Sequence, residues 1–268
     1  MTSIAILGAG AMGSAIGTGL LNSGWDKLSI RYADVNLERV GELVKDGFIA
    51  YSDPSIAAEP AGIVLIAVKP QGMSELLRQI APVISPEHLV VSIAAGVSTR
   101  TIEACLVPGV PIVRCMPNTP ALLGEGVTAL AGGDNASDED LIRAEQVLGA
   151  VGRTVIVTED EIDAVTGVSG SGPAYVFLLA EAMEEAAIAE GLDSSTARLL
   201  VGQTIKGAGD LLMASPKPPA ELRQQVTSPN GTTEAALLSF ENAGFRQIVR
   251  DAVAKATERS RELGQEHD

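Results

Sequence analysis

The stretch Ile4-Ala5-Ile6-Leu7-Gly8-Ala9-Gly10-Ala11-Met12-Gly13 constrains this chain more than any other. Four apolar, strand-favouring residues run directly into Gly-x-Gly-x-x-Gly. Apolar positions at helical spacing follow at Ala15, Ile16, Gly19 and Leu20, until Asn22-Ser23-Gly24 stops them. The order reads strand, tight turn, helix. Gly8 permits the turn, Gly10 lets a pyrophosphate approach the backbone, and Gly13 lets helix and strand pack closely. The helix start adds N–H groups and the positive end of its dipole, both suited to phosphate. A bare glycine fingerprint is weak evidence, but here a second apolar segment ends in Asp34, about twenty residues further on, where a carboxylate can reach a ribose hydroxyl. The stretch predicts a dinucleotide site.

Up to about residue 158 the chain alternates apolar runs and helical patterns. After the first unit come Leu28–Ala33, a helix at Leu37–Lys45, then Ile63–Val68, Met73–Ile84, Leu89–Ala94, Ile112–Cys115, Val127–Ala131, Asp138–Val151 and Thr154–Val157. Strands separated by helices imply parallel pairing through right-handed crossovers. The expectation is an α/β fold, a doubly wound, mostly parallel Rossmann sheet over residues 1–160. In such sheets the ligand lies beyond the carboxyl ends of the strands. The loops at those ends, Lys69-Pro70-Gln71, Ala95-Gly96-Val97-Ser98 and Met116-Pro117-Asn118-Thr119-Pro120, put small, polar or cationic groups there.

Strand signals vanish after residue 159. Val176, Leu179, Ala180, Met183 and Ala187 share one face of Pro173–Glu190, and Glu181, Glu184 and Glu185 another. Further helices are expected at Ser194–Ala214, Pro219–Val226, Thr233–Asn242 and Phe245–Leu263, which makes residues 161–268 an all-helical second domain. A helical unit this small and rich in Ala and Leu cannot readily cover its own apolar faces, so dimerisation through it is expected.

With 34 acidic against 19 basic residues, a net charge of −15 argues against nucleic acid and anionic membranes as partners. Cys105 and Cys115 form no paired motif, which fits buried, reduced thiols in a cytoplasmic protein. No signal peptide and no membrane span is legible.

Few side chains suit acid–base chemistry. His88 precedes a strand, His267 sits near the end, and no metal cluster is visible. Two stretches remain. Ser169-Gly170-Ser171-Gly172-Pro173 leads into the long helix, with Pro173 in its first turn. Thr227-Ser228-Pro229-Asn230-Gly231-Thr232-Thr233 opens another helix, where the N–H groups of Gly231, Thr232 and Thr233 beside the Ser228 hydroxyl make a site for a small carboxylate. N-capping by Thr232 would account for only one of these threonines.

These residues resemble the pyrroline-5-carboxylate reductase family nearly end to end. Besides Gly8–Gly13, the resemblance is carried by Ala67-Val68-Lys69-Pro70, the stretch from Ser92 to Val97, that from Arg114 to Pro120, that from Asp163 to Tyr175, and Val226 through Thr233. It implies reduction of 1-pyrroline-5-carboxylate to L-proline by NADPH or NADH, the last step of proline biosynthesis. The implied cofactor contacts are Gly8, Ala9, Gly10, Ala11, Met12, Gly13, Asp34, Ala67, Val68, Lys69, Ala95 and Asn118, the last two near the nicotinamide. The implied substrate contacts are Ser228, Gly231, Thr232 and Thr233, with Thr233 placed by the ring nitrogen as orienter and proton donor. An acidic residue before the long helix is matched by Glu159, with Glu161 as the alternative. The resemblance also implies an interlocked homodimer, often assembled into a decamer, with a pocket shared between subunits.

Two departures stand out. Relatives favouring NADPH carry Asn-Arg or Ser-rich text where this chain has Asp34-Val35. A carboxylate there accepts from a ribose hydroxyl but repels a 2′-phosphate, so the expectation leans to NADH, against the nearby Arg31 and Arg39. Pro54 replaces an asparagine that reaches the adenosine side. The competing reading is an oxidoreductase of the 3-hydroxyisobutyrate or 6-phosphogluconate type. It needs a lysine on the long helix, and Ala174–Glu190 has none, Lys206 lying on a later one. A non-catalytic dinucleotide sensor is the other alternative.

Overall fold

The computed structural model describes residues 3–265. Eight strands form one sheet: β1 Ile4–Leu7, β2 Ile30–Ala33, β3 Ile49–Tyr51, β4 Ile63–Ile66, β5 Leu89–Ser92, β6 Ile112–Met116, β7 Gly126–Gly132 and β8 Gly152–Ile156, in the order β3-β2-β1-β4-β5-β6-β7-β8. Every neighbouring pair is parallel except β6 and β7. β1, β4 and β5 are buried along their whole length, as strands covered by helices on both faces must be.

The crossovers are α1 Ala11–Asn22, α2 Leu37–Lys45, α3 Pro54–Ala58, α4 Met73–Ile80, α5 Thr99–Glu103 and α6 Asp138–Leu148. Strand alternation divides the core in two. Ile4, Ile6 and Tyr32 face one cluster, with Ile16, Leu20 and Leu148 from the helices. Ala5, Leu7 and Ala33 face the other, with Leu77 and Ile80. The expected strands and helices are present, with ends shifted by a few residues. β3, α3 and α5 went unread because three to five residues carry too little periodicity.

α7, Ile162–Val165, and a π-helical turn at Thr166–Gly170 precede the long helices α8 Gly172–Ala189, α9 Ser194–Ala214, α10 Pro219–Gln225, α11 Thr232–Asn242 and α12 Phe245–Gln265. The chain forms two compact units. One runs through Ser171 and includes the stretch from Ala254 onward; the other is Gly172–Val253. The division expected after residue 160 therefore falls after Ser171. Ile162 packs in a cluster with Ala129 and Ala131 of β7, which keeps α7 with the sheet.

Within Gly172–Val253 the only buried apolar residues are Ala197 and Val201, while Phe177 and Leu178 are each 66% exposed. A single copy of this unit has almost no core. Cys115 is buried, but Cys105 is exposed, contrary to expectation, because it lies just past the end of the short α5. No helix among the described residues is long and apolar enough to cross a membrane.

Tyr32 closes the inner layer. Its ring meets Phe48 edge-on at 5.2 Å, and its hydroxyl lies where a Cβ on Gly17 of α1 would fall, so that helix position tolerates only glycine. Burial pushes the Tyr32 phenol up from 10.0 to about 12. The neutral form is the one the fold accepts. Stability is therefore intact below pH 10 and falls as pH rises through about 12, by about 2–3 kcal/mol over the interval. Denaturant titrations across that range check this, and Tyr32→Phe is expected to flatten the slope.

Candidate active site

The strand order reverses between β1 and β4, and the loops leaving their carboxyl ends frame a cleft of about 450 Å³. Leu7, Gly8 and Gly10 line it from β1, Ala33 and Asp34 from β2, and Ala67, Val68 and Lys69 from β4. Ser52 and Pro54 close the far side. Such a crevice is where doubly wound sheets bind nucleotides.

Gly8 and Gly13 take the turn and packing roles that the sequence predicts. Gly8 has φ +106°, and a Cβ there would lie 2.7 Å from the Ala67 carbonyl oxygen. A Cβ on Gly13 would fall 2.1 Å from the Gly8 carbonyl oxygen. Gly10 is different: it is exposed, nothing lies within 4 Å of its would-be Cβ, and it caps α1 without any side-chain hydrogen bond. The protein itself has no use for a glycine at that position. A pyrophosphate against the uncapped amides of Ala11 and Met12 does.

Asp34 and Arg39 hold the turn from outside. Asp34 Oδ2 accepts from the Ala9 N–H at 2.7 Å, and Oδ1 from the Asn36 N–H at 2.8 Å. Arg39 Nε donates to the Ala9 carbonyl at 3.2 Å, and its other nitrogens to Ser14 Oγ at 3.0 Å and Glu42 at 2.7 Å. The Asp34 carboxylate keeps unused lone pairs for ribose hydroxyls. The Arg39 guanidinium, in contrast, is already committed. Arg31 offers no substitute, since its Nε and Nη1 are buried without partners.

Ala95 and Asn118 stand apart from this cleft. Ala95 is exposed on the loop after β5. Asn118 acts as a brace: Nδ2 donates to the Ser169 carbonyl at 3.2 Å and Oδ1 accepts from the Val127 N–H at 2.9 Å. Its amide thereby ties the loop after β6 to the π-helical turn.

Glu159 does not line the cleft. Its Oε1 accepts from Arg114 at 2.8 Å and from the Thr99 N–H at 3.3 Å, while Oε2 is buried without a partner. The Arg114 side chain is only 9% exposed, so the pair is a brace between β6 and α5. Glu161 is a helix cap. Hydrogen bonds from the Thr158 backbone and hydroxyl hold its carboxyl below the usual range. Sequence reading missed Arg114 as the partner of Glu159, because a pairing across 45 positions leaves no local pattern.

In the other unit, Ser228–Thr233 folds into a turn and a helix start. Asn230 adopts φ +59°, and the Gly231 N–H donates to the Ser228 carbonyl at 3.0 Å. Gly231 therefore does not present its N–H as expected, and Thr232 is not the cap. Gly231 itself is the N-cap of α11, with no side chain capping it. The amides of Thr232 and Thr233 are left at a positive helix end, with the Ser228 oxygen 2.6 Å from where a Gly231 Cβ would be. The Glu234 carboxylate turns back to the Asn230 N–H at 2.8 Å, which fixes the turn.

A doubly wound sheet, a glycine cleft at its switch point and a C-terminal helical region define an NAD(P)-dependent oxidoreductase. Residues 159–263 match the family described as pyrroline-5-carboxylate reductase dimerisation, and residues 3–96 the one described as NADP oxidoreductase coenzyme F420-dependent. A pyrroline-5-carboxylate reductase of Pseudomonas aeruginosa is 43% identical, over 98% of this chain and 97% of its own. Two solved structures agree over 98% of both chains. One, of a pyrroline-5-carboxylate reductase from Coxiella burnetii, has a TM-score of 0.93 at 35% identity. The other, of a Plasmodium falciparum pyrroline carboxylate reductase with NADP bound, has 0.86 at 30%. The chain belongs to the pyrroline-5-carboxylate reductase family.

Gly10→Ala is expected to cost less than about 1 kcal/mol of stability yet weaken dinucleotide binding at least about tenfold, since a methyl group would fill the phosphate approach. Gly13→Ala should instead lose about 3 kcal/mol or more, because backbone must move. Denaturant unfolding and nucleotide titration of the two variants check the contrast.

Proposed function

We propose that this protein reduces 1-pyrroline-5-carboxylate to L-proline, with NADH or NADPH as reductant, the last step of proline biosynthesis. The uncapped start of α11 carries this reading. Two backbone amides, the nearby Ser228 hydroxyl and a positive helix end make a seat for a small carboxylate, and the Thr233 hydroxyl is the proposed partner of the ring nitrogen. The Gly8–Gly13 turn, Asp34, Ala67, Val68 and Lys69 would hold the dinucleotide, and Ala95 its nicotinamide end. When bound, the nicotinamide supplies the hydride.

The reaction adds hydride to the imine carbon and a proton to the ring nitrogen, giving the secondary amine of proline. A cyclic imine hydrogen-bonded at nitrogen is already electrophilic, so the protein's task is orientation and exclusion of water. Backbone N–H groups of Thr232 and Thr233 grip the carboxylate. The Thr233 hydroxyl hydrogen-bonds the ring nitrogen and relays a proton to it.

Asp34 favours NADH. Its charge faces the position of a ribose 2′-substituent, and Arg39, the nearby cation that a 2′-phosphate would need, is bound to Ala9, Ser14 and Glu42. The exposed apolar faces of Gly172–Val253 support a homodimer through that unit, built up further into a decamer, and the free cysteines fit a cytoplasmic protein.

A spectrophotometric assay for pyrroline-dependent oxidation of each cofactor tests both the reaction and the preference. kcat/KM with NADH is expected to exceed that with NADPH by about tenfold, the discrimination of a charge clash of about 1.4 kcal/mol. No turnover with either would overturn the reading. Thr233→Ala should lower kcat at least about a hundredfold with the unfolding midpoint unchanged; parental turnover in that variant would remove Thr233 from the mechanism.

A further inference from the structure

We infer that the last turns of α12 are a positioning element for the Ala95–Ser98 loop, with Ser260 as the residue that sets their orientation. The inference rests on the proposed role of that loop at the nicotinamide end of the cofactor. It concerns residues that the binding and proton-transfer steps leave unused.

The loop has an open side and a backed side. Ala95 is exposed, whereas Gly96 and Val97 are buried, and Gly96 takes φ +74°. Behind Gly96 stands Leu263: its Cβ, backbone carbon and carbonyl oxygen all lie 3.4 Å from where a Gly96 Cβ would be, and Gly264 also faces the Gly96 carbonyl. At the loop's far end, Glu159 accepts from the Thr99 N–H while held by the buried Arg114. One end of the loop is thus fixed by an ion pair of the sheet and its middle by a helix.

One buried hydrogen bond ties that helix to α7. Ser260 is only 6% exposed, and its hydroxyl donates to Asp163 Oδ1 at 2.6 Å. Residues three and four apart share a helix face, so the bond that pins Ser260 to α7 also turns Leu263 and Gly264 toward Gly96. A cavity of about 630 Å³ opens beside this contact, lined by Gly96, Asp163 and Gly264 among others. Without the Ser260 hydroxyl the helix end can roll, and the loop loses its backing on the side away from the ligand.

The test compares nucleotide halves on the full-length protein. ADP-ribose engages the glycine turn and the Asp34 end alone, whereas the intact dinucleotide also needs the loop. Ser260→Ala is expected to raise the Kd for NADH about three- to tenfold and to lower kcat, with the Kd for ADP-ribose unchanged. Ser260→Thr, which keeps the donor, should restore both. Leu263→Ala, which leaves the hydrogen bond in place, should reproduce the split and serves if Ser260→Ala does not fold. Parental affinity for both ligands in Ser260→Ala and Leu263→Ala would overturn the positioning role, as would an equal loss of both, which marks general loosening. Ala95→Leu separates the premise from the inference. If bulk on the loop itself leaves NADH binding and turnover unchanged, the assignment of the loop to the nicotinamide fails; if it is harmful while the Ser260 and Leu263 variants behave as the parent, only the positioning role fails.

Discussion

The peptide of Ala9 is held at both ends, its N–H by Asp34 and its carbonyl by Arg39, and the nucleotide cleft depends on that grip. A turn that brings a strand end against a helix start has two glycines whose side chains would clash with backbone, so nothing of its own can stiffen it. The stiffness comes from β2 and α2 instead. One consequence concerns specificity. The carboxylate proposed to discriminate between ribose and phosphorylated ribose is the same one that accepts from the Ala9 N–H. Removing its charge to admit a 2′-phosphate would also slacken the turn that receives the pyrophosphate. Cofactor choice and turn geometry are therefore coupled through one side chain, and changing one without the other requires a new acceptor for Ala9.

The second unit obeys a different constraint. Its helices are faced mainly with Ala, Leu and Val, together with Phe177, Phe240 and Phe245. Gly172–Val253 hides two apolar side chains and leaves Phe177, Leu178, Leu199 and Ile248 in contact with water. Burying a side chain of this kind is worth roughly 1.5–3 kcal/mol, so covering several of them by another copy outweighs the entropy of association. The match of residues 159–263 to a dimerisation family agrees with that arithmetic.

The parts of the chain legible in sequence were those whose reasons are local. Gly8 and Gly13 act within one turn, and their steric roles follow from spacing alone. The helices Leu37–Lys45 and Ser194–Ala214 were read to the residue, because Asn36 and Asp193 cap them and apolar spacing carries them on. What escaped had long-range causes. β3 is three half-buried residues whose strand character comes from pairing with β2. Glu159 is matched to a substrate contact only through resemblance, and its partner Arg114 is brought to it across the sheet. Asn118 reads as a cofactor contact, yet Val127 and Ser169 take its side chain. Gly231 loses its N–H to Ser228 because Asn230 takes a left-handed conformation that no periodicity signals.

That the proposed substrate seat is made of backbone amides bears on why no histidine is required. His88 is held in a turn by Ser85 and the Glu59 carbonyl, remote in role from any proton transfer. An imine accepts hydride readily once its nitrogen is hydrogen-bonded, so the barrier lies in placing carbon, nitrogen and reductant together and keeping water away. Backbone donors at a helix start are fixed by the helix itself and need no rotamer to be frozen, and they carry partial positive charge without the hydration of a lysine. A side-chain cap on α11 would compete with the carboxylate for the same donors. Gly231 at the N-cap, with Glu234 turned back to Asn230 rather than to the helix start, keeps the Thr232 and Thr233 amides available, and Thr233 can then act through its hydroxyl while its backbone grips the acid.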